Sequence, residues 1–407
     1  MIIAAATGYG GRQADVMRLY FKSGGPKVVR GGFYAWFGPS LERTMDGVLA
    51  RAKDFARKQP LDLPPLLADH ARDWHIFDSE TVKLPDELKD EYPGTGDYAA
   101  LKVHKRFSVG TGTVYDYHLS PARDHDAPHL VPDESWRGLG LLVDLGYASL
   151  QLVSDCERYA MPFVMRLKES WKPKVNRITR GHVSRTFFPG TDFDALLDSE
   201  VILLAGNVVD AQVTIGSGSR QVRCRLVGVP APDGAYRFYL SNLPPTVGPR
   251  QISDIYRVRW EIESDNKLDK SCHHLDEVAA ETGPAARALV HASLVSSMLA
   301  CFIAHRYRLK EKRPSRPGTE RKVAPIHPQA LARAMGCAAL DIANAFEMEG
   351  VEARRKWTDI AEYLQHLGKD PNWRRSPSIL DQLRGWKITP GRPKSARLAS
   401  STRNPAN

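Results

Sequence analysis

The stretch Leu139–Val143 constrains the fold of this chain more than any other, because it is a near-continuous apolar run without alternation. A strand that is apolar on both sides is typical of the centre of a sheet covered by helices on both faces. The run ends in Asp144, a carboxylate that is costly to desolvate unless a cation or hydrogen bonds compensate. The sequence therefore predicts an α/β domain with an acidic group at the end of a central strand.

A second carboxylate follows another apolar segment earlier in the chain. Residues 74–77 read Trp-His-Ile-Phe, a short apolar run that predicts a strand ending in Asp78. Two later segments, 100–109 and 113–120, flank a Gly-Thr-Gly turn and are typical of an antiparallel pair of strands. After Asp144 the pattern predicts a helix and one more strand. An isolated aspartate such as Asp78 is more typical of a turn or a helix cap, so its interpretation depends on the rest of the chain.

The segment from Ile252 to Leu275 predicts a helix, because it contains neither Gly nor Pro and Ser253 or Asp254 can cap its start. At about 100° per residue, one face collects two aromatic residues, a carboxylate and several cations, while the apolar residues point elsewhere. The members of that face are Tyr256, Arg259, Trp260, Glu263, Lys267 and Lys270. The plain alternative is a solvated face with ion pairs between residues four apart, such as Glu263 with Lys267.

Four of these residues have the spacing of a known signature. Tyr256, Arg259, Glu263 and Lys270 resemble the Tyr-Arg-Glu-Lys motif of bacterial insertion-sequence transposases of the type-four family, which use an Asp-Asp-Glu catalytic triad. The run from Arg259 to Glu263 is also similar to the Arg-Trp-x-Ile-Glu core common in that family. The resemblance extends over residues 74–305 and implies a ribonuclease H-like fold.

The resemblance also implies a role for individual residues. The surroundings of Asp78 and Asp144 are similar to those of the family's two catalytic aspartates, so Asp78, Asp144 and Glu263 would form the triad and bind the metal. Asp126, in the intervening segment, is the main competitor for one aspartate place. The residues implied to hold the DNA at the transposon end are Tyr256, Arg259 and Lys270, with Lys267 and Trp260 as auxiliaries.

The chemistry of DNA cleavage and joining explains why three carboxylates are needed. Water or a 3′-hydroxyl attacks a phosphodiester in line, and two divalent ions about 3.5–4 Å apart activate the nucleophile and stabilise the leaving oxygen. Magnesium takes hard oxygen ligands and usually only a few carboxylates besides water and phosphate. We therefore expect Mg²⁺ (or Mn²⁺), as two ions, at the three carboxylates.

Composition bears on the partner and the compartment. The net charge of +10 and the pI near 9.3 favour a polyanionic partner, with nucleic acid as the leading candidate. Five scattered cysteines without a Cys-x-x-Cys pair favour a reducing compartment and argue against a zinc module. The N-terminus does not resemble a signal peptide, and the apolar stretch Ala288–Ala304 is interrupted by polar residues, which predicts a buried helix. We expect a cytoplasmic, nucleoid-associated bacterial protein without a membrane anchor.

The predicted fold class is α/β: a ribonuclease H-like catalytic domain interrupted by a β-rich insertion, with helical N- and C-terminal regions. Residues 1–72 would be a helical region that either contacts the DNA end or is only an arm packed on the rest of the protein. The catalytic domain would occupy 73–170 and 251–305, with the insertion at 171–250. Residues 306–407 would comprise a basic linker, a helical region and a disordered tail.

The predicted function is that of a DNA transposase, which cleaves insertion-sequence ends and joins them to target DNA. Its partners would be double-stranded DNA, both the terminal inverted repeats and the target, and a second copy of the chain in a homodimer on DNA. Two alternatives stay open. One is a metal-dependent ribonuclease H-like nuclease without strand transfer, and the other is a catalytically silent DNA-binding regulator derived from a transposase.

Overall fold

The computed structural model describes residues 1–231, 233–311, 313–314, 316–373 and 378–387. The α-helices of these described residues lie mainly at the two ends of the chain and after the last strand. In chain order they are α1 (Ile2–Gly8), α2 (Gln13–Lys22), α3 (Arg30–Tyr34), α4 (Pro39–Arg57), α5 (Pro65–Ala68), α6 (Leu150–Arg158), α7 (Phe193–Asp198), α8 (Pro249–Arg257), α9 (Trp260–His273), α10 (Gly283–Arg308), α11 (Pro328–Cys337), α12 (Ala339–Ala345), α13 (Gly350–Leu367) and α14 (Ile379–Leu383). The predicted disordered tail, 390–407, lies outside the described residues.

The strands of the described residues form one large sheet and one small pair. They are β1 (Trp74–Lys83), β2 (Ala100–Ser108), β3 (Thr113–Pro121), β4 (Gly140–Val143), β5 (Phe163–Arg166), β6 (Lys174–Arg180), β7 (His182–Val183), β8 (Thr191–Asp192), β9 (Ile202–Leu203), β10 (Val209–Ile215), β11 (Val222–Pro230) and β12 (Tyr236–Ser241). The order in the ten-stranded sheet is β3-β2-β1-β4-β5-β12-β11-β10-β6-β8, and β7 pairs with β9. The protein is thus a mixed α/β structure with a largely antiparallel sheet.

The central strand that the apolar run predicts is confirmed. All four residues of β4 are buried, and β4 runs parallel to β1 on one side and to β5 on the other. The predicted antiparallel pair is confirmed as β2 and β3, with β2 also antiparallel to β1. Both faces of β4 are apolar because Leu141 and Val143 join one core cluster while Leu142 joins another.

The prediction that Asp78 ends a strand is wrong. Asp78 is the fifth of ten residues in β1, which continues to Lys83 because Val82 is buried and the pairing with β2 extends over its whole second half. The parallel register aligns Phe77 with Val143, so Asp78 is level with Asp144, the first residue beyond β4. The aspartates therefore meet because the shorter strand ends beside the longer one.

Apart from the short β7–β9 pair, the segment predicted as a β-rich insertion does not form a sheet of its own. Its strand β12 pairs antiparallel with β5, and β11, β10 and β6 follow in the same sheet. Ser241 explains part of this continuity, because its hydroxyl donates to the carbonyl of Phe163 at 2.7 Å. The sheet that carries the two aspartates is thereby extended far beyond them.

The prediction of a single helix from Ile252 to Leu275 is wrong. Two helices, α8 and α9, are joined at Val258 and Arg259 by backbone hydrogen bonds between residues three apart, which tighten the turn. The start also differs, because α8 begins at Pro249 rather than at Ser253 or Asp254. No Gly or Pro marks the break, so it arises from packing on either side of it. On α8 the Tyr256 ring is buried against Tyr239, with ring centroids 5.1 Å apart.

The long apolar helix α10 is the centre of the helical layer. By length and composition it is the one helix of the described residues that is apolar enough to cross a membrane, yet 89% of its apolar window is buried inside the protein. Ala288 and Ala292 pack against Met45 of α4, so the N-terminal helices cover this helix. The prediction of a buried helix over 288–304 is confirmed.

Candidate active site

Two carboxylates stand side by side where β4 ends. Asp78 is half-buried and accepts hydrogen bonds from the backbone amide of Ser79 at 2.9 Å and from Nδ2 of Asn266 at 3.0 Å. Burial raises the pKa of Asp78, and the Asp144 carboxylate raises it further, while Arg259 and the Ser79 hydrogen bond act against both. A carboxyl group whose ionisation is opposed by burial and by a neighbouring acid has the electrostatics of a cation site.

The third predicted acid, Glu263, lies on α9 one turn before Asn266, the residue that contacts Asp78. Its side chain is 49% exposed and accepts a hydrogen bond from Nη2 of Arg259 at 2.5 Å. The Asp144 carboxylate contributes to a raised pKa of the same Arg259, although burial acts the other way. One guanidinium is thus shared electrostatically by Asp78, Asp144 and Glu263, and the structure brings the three predicted acids to one site.

A buried ion cluster lies directly behind this site, and the sequence reasoning did not find it. Lys105 of β2 is completely buried and contacts carboxylates of Glu80 on β1 and of Asp265 and Asp269 on α9. Its ammonium also donates to Oδ1 of Asn266 at 2.9 Å. Burial would lower the pKa of Lys105, but the three carboxylates hold that pKa well above its usual value. The cluster therefore joins α9 to the strands at the level of Asp78.

Lys270 belongs to this cluster more than to the open face that the helical wheel predicts. Its Nζ lies 3.6 Å from Oε2 of the buried Glu80. Trp260 and Lys267 are exposed, with Trp260 at 63%. Of these three predicted DNA-contact residues, two thus face solvent and one lies at the edge of the buried cluster.

Tyr256 and Arg259 carry buried polar atoms that lack a partner. The Tyr256 hydroxyl and Nε of Arg259 have no hydrogen-bond partner of acceptable geometry among the described residues. Burial raises the pKa of Tyr256 to about 12, against the nearby Arg259 guanidinium. The two side chains also interact with each other, and this contact acts against the rise in the pKa of Tyr256. An unpaired buried polar atom costs about 1–3 kcal/mol, so these two atoms at the cleft wall are candidate donors to a polar ligand.

A cleft of about 2030 Å³ runs along these residues. The described residues that line it include Asp144, Arg166, Tyr256, Arg259 and Glu263, together with Trp260 and Lys267. Eleven Lys or Arg side chains and ten Asp or Glu side chains are among its described lining residues. Because the charges nearly balance, an anion would be held by local contacts rather than by an overall positive field.

Asp126, the competing aspartate, has partners of its own. Its Oδ1 accepts from Oγ of Ser79 at 2.9 Å and from Nζ of Lys102 at 3.1 Å. It therefore holds the residue next to Asp78 and is neutralised by a lysine. Asn266 is the contact that sequence reasoning missed, although its position three residues after Glu263 on a helix was a usable signal.

Comparison with known proteins identifies a family over most of this region. Residues 71–299 match the family model described as "Transposase DDE domain". Among solved structures, the chain is similar to the piggyBac transposase in a synaptic complex with hairpin DNA, with 13% identity and a TM-score of 0.37. The similarity covers 71% of this chain and 57% of that transposase, so the chain spans little more than half of its relative's length. No curated protein matches.

Proposed function

The chain belongs to the DDE transposase family, and from this premise we propose that it cleaves the ends of an insertion sequence and joins them to target DNA. Asp78, Asp144 and Glu263 would be the catalytic acids. The observation that carries this proposal is that Asp78 on β1 is level with Asp144, the first residue after the adjacent parallel strand β4, and that Asn266 of the Glu263 helix is bonded to Asp78. Double-stranded DNA would be the substrate, bound by two copies of the chain.

A ribonuclease H-like catalytic domain is part of the proposal. It is supported by the strand order β3-β2-β1-β4-β5, in which only β2 is antiparallel to the others. We assign this domain to residues 73–170 and 251–305, and the strands of 171–250 to an insertion that extends its sheet. Membership of the type-four family, with its Tyr-Arg-Glu-Lys signature, belongs to the same proposal. So does the assignment of 1–72 and 306–407 to N- and C-terminal regions outside the catalytic domain.

The donor set of the three acids fits Mg²⁺ (or Mn²⁺). All three offer hard carboxylate oxygens, and the raised pKa of Asp78 shows that its negative charge lacks full compensation. Two such ions, when bound by Asp78, Asp144 and Glu263, would supply activation of the attacking oxygen and stabilisation of the leaving oxygen. Members of this family depend on divalent metal, whereas the identity of the ion is our proposal.

The chain's own residues would position the DNA around these acids. Arg259 now pairs with Glu263, and a phosphate that took over this guanidinium would free the Glu263 carboxylate for its catalytic place. The unpaired Tyr256 hydroxyl and Arg259 Nε would donate to the same phosphate. Trp260 is exposed beside them and would stack on a base or sugar, while exposed Lys267 would meet the next phosphate.

The test is a gel assay with labelled DNA carrying the ends of the insertion that encodes this chain, target DNA and Mg²⁺. The substitutions Asp78→Ala, Asp144→Ala and Glu263→Ala should each abolish cleavage and joining but leave end binding in place, because they remove metal ligands and not phosphate contacts. The matched control is Asp126→Asn, which removes an acid from the same neighbourhood and should still cleave.

Two results would overturn the assignment. If Asp144→Asn retained most of the cleavage, Asp144 would not bind the metal. If Asp126→Asn were inactive while Asp78→Ala cleaved, the wrong aspartate would have been chosen. Cleavage of the ends without joining to target would favour the nuclease instead, and end binding without any cleavage would favour the silent regulator.

A further inference from the structure

Three histidines converge at the edge of the sheet, outside the acidic site. His104 on β2 and His118 on β3 are direct partners in the antiparallel register. His129 reaches the same point from the turn that follows β3. One ring nitrogen of each histidine lies within 4.8 Å of the other two. Three imidazoles from three segments thus lie together, and none of them contributes to the acidic site.

Both ring nitrogens of His104 have a hydroxyl partner. Nε2 lies 3.0 Å from Oγ of Ser120, whose hydroxyl also lies 3.0 Å from the carbonyl of Pro121, and Nδ1 lies 3.2 Å from the hydroxyl of Tyr147. In the tautomer in which Nε2 donates to Ser120, Nδ1 carries the lone pair, and an ion bound there would displace the Tyr147 hydroxyl. A metal-bound histidine usually donates its other ring N–H to an oxygen in this way.

The other two rings are paired with each other. Nε2 of His118 and Nδ1 of His129 face each other at 2.8 Å, and the opposite nitrogen of His129 lies 3.9 Å from a carboxylate oxygen of Asp124. Ligand nitrogens around a tetrahedral Zn²⁺ are about 3.3 Å apart, given Zn–N bonds of about 2.0–2.1 Å. Nε2 of His118 and Nδ1 of His129 are closer to each other than that, and both rings are stacked on His104, with ring centroids 4.6 Å and 4.0 Å away. Binding would therefore require exposed His118 and half-buried His129 to rotate out of this stack.

The surrounding charge is mixed. The carboxylates of Asp124 and Asp126 face the cluster, with an oxygen of Asp126 3.9 Å from Nδ1 of His104. The ammonium of Lys102 lies near the same carboxylate, at 3.1 Å. Imidazole nitrogens select zinc, copper, nickel or iron over magnesium, so such an ion would differ from the one at the acidic site.

We propose that His104, His118 and His129 bind a Zn²⁺-like transition-metal ion, with a fourth position open to water. The ion would tie the turn that carries His129 to the β2–β3 hairpin. This matters for the active site because Asp126, in that turn, bonds Ser79 next to Asp78. Tyr147, three residues after Asp144, places its hydroxyl 3.2 Å from Nδ1 of His104. The ion would thus stabilise the back of the acidic site without taking part in its chemistry.

The experiment is a zinc titration of the full chain, purified without metal-affinity resin, stripped with chelator and exchanged into buffer containing excess Mg²⁺. We expect one Zn²⁺ per chain by elemental analysis, and a Co²⁺ complex with the strong visible absorption of a tetrahedral site. His118→Ala and His129→Ala should lose more than the roughly 10- to 100-fold in affinity that removal of an outer partner costs.

The matched control is His125→Ala, which removes an exposed histidine from the same segment and should bind zinc like the unmodified protein. Circular dichroism of each stripped variant checks that it folds. The proposal is overturned if the unmodified chain binds no stoichiometric zinc, or if His118→Ala binds it unchanged. It is also overturned if Asp144→Ala loses zinc, since the ion would then sit at the carboxylates.

Discussion

At the scale of single residues, Arg259 and Lys270 occupy different environments although both are cations of the same signature. Arg259 lines the cleft, pairs with exposed Glu263 and keeps an unpaired Nε, whereas Lys270 faces the buried Glu80. We expect Arg259→Lys to slow single-turnover cleavage of pre-bound end DNA by about 10- to 100-fold, the equivalent of one or two lost charged hydrogen bonds. Lys270→Arg should have a much smaller effect.

Arg259→Lys and Lys270→Arg serve as controls for each other, because both substitutions preserve the positive charge. Tyr256→Phe adds a second readout: if the unpaired hydroxyl donates to a phosphate, cleavage should fall about tenfold, equivalent to about 1.4 kcal/mol. Equal and small effects of Arg259→Lys and Lys270→Arg would show that the helix supplies only diffuse positive charge. The positional interpretation of the signature would then be wrong even if the three acids are right.

At the scale of elements, the position of α9 depends on Lys105. This buried ammonium contacts Asp265, Asn266 and Asp269 on the helix, and Asn266 in turn bonds Asp78. Removal of one partner from a buried ion cluster typically costs about 3–5 kcal/mol. We expect Lys105→Met to lower the free energy of unfolding by that amount in urea titrations, because three carboxylates would lose their common cation.

Lys83→Met is the matched control for this prediction, since Lys83 is an exposed lysine on the neighbouring strand β1. Its effect should stay within about 0.5 kcal/mol, as for most surface substitutions. A loss below about 1 kcal/mol for Lys105→Met would contradict the view that the cluster holds α9 on the sheet.

At the scale of the whole molecule, Asp62 connects parts of the chain that are far apart in sequence. Its carboxylate lies 3.3 Å from Arg308 at the end of α10, 2.6 Å from Arg313 and 3.1 Å from Arg384, which follows α14. Burial would raise the pKa of Asp62, but these three guanidiniums lower it overall. A lowered carboxyl pKa contributes stability that is present above the unfolded value of about 3.9 and is lost as pH falls through the folded pKa.

We therefore expect Asp62→Asn to cost about 3 kcal/mol near neutral pH, where three guanidiniums would lose their shared carboxylate. The difference from the unmodified protein should shrink as pH falls below 4, because Asp62 then becomes protonated. Urea titrations across this pH range measure the effect, with exposed Asp69→Asn as the control. A difference that does not change with pH would assign the effect of Asp62 to packing rather than charge.

The sequence by itself determined most of the local elements, and it drew attention to the acidic residues that follow apolar segments. The apolar run before Asp144 specified a central strand, and the Gly-Thr-Gly turn specified the β2–β3 pairing that also sets His104 opposite His118. These features are encoded locally, because strand alternation, apolar runs and turn residues act over a few neighbouring positions. The assignment of catalytic roles to Asp78, Asp144 and Glu263 came from the resemblance and stays a prediction.

Only the tertiary structure decided how these elements meet. The helix break at Val258 has no local signal, and it places the Tyr256 ring in the core rather than on an open face. The three carboxylates around Lys105 and the approach of His129 to the hairpin join residues from separate segments, so no periodicity could reveal them. Burial is the physical reason: a charged group deep in a protein must take its partners from whatever long-range packing places beside it.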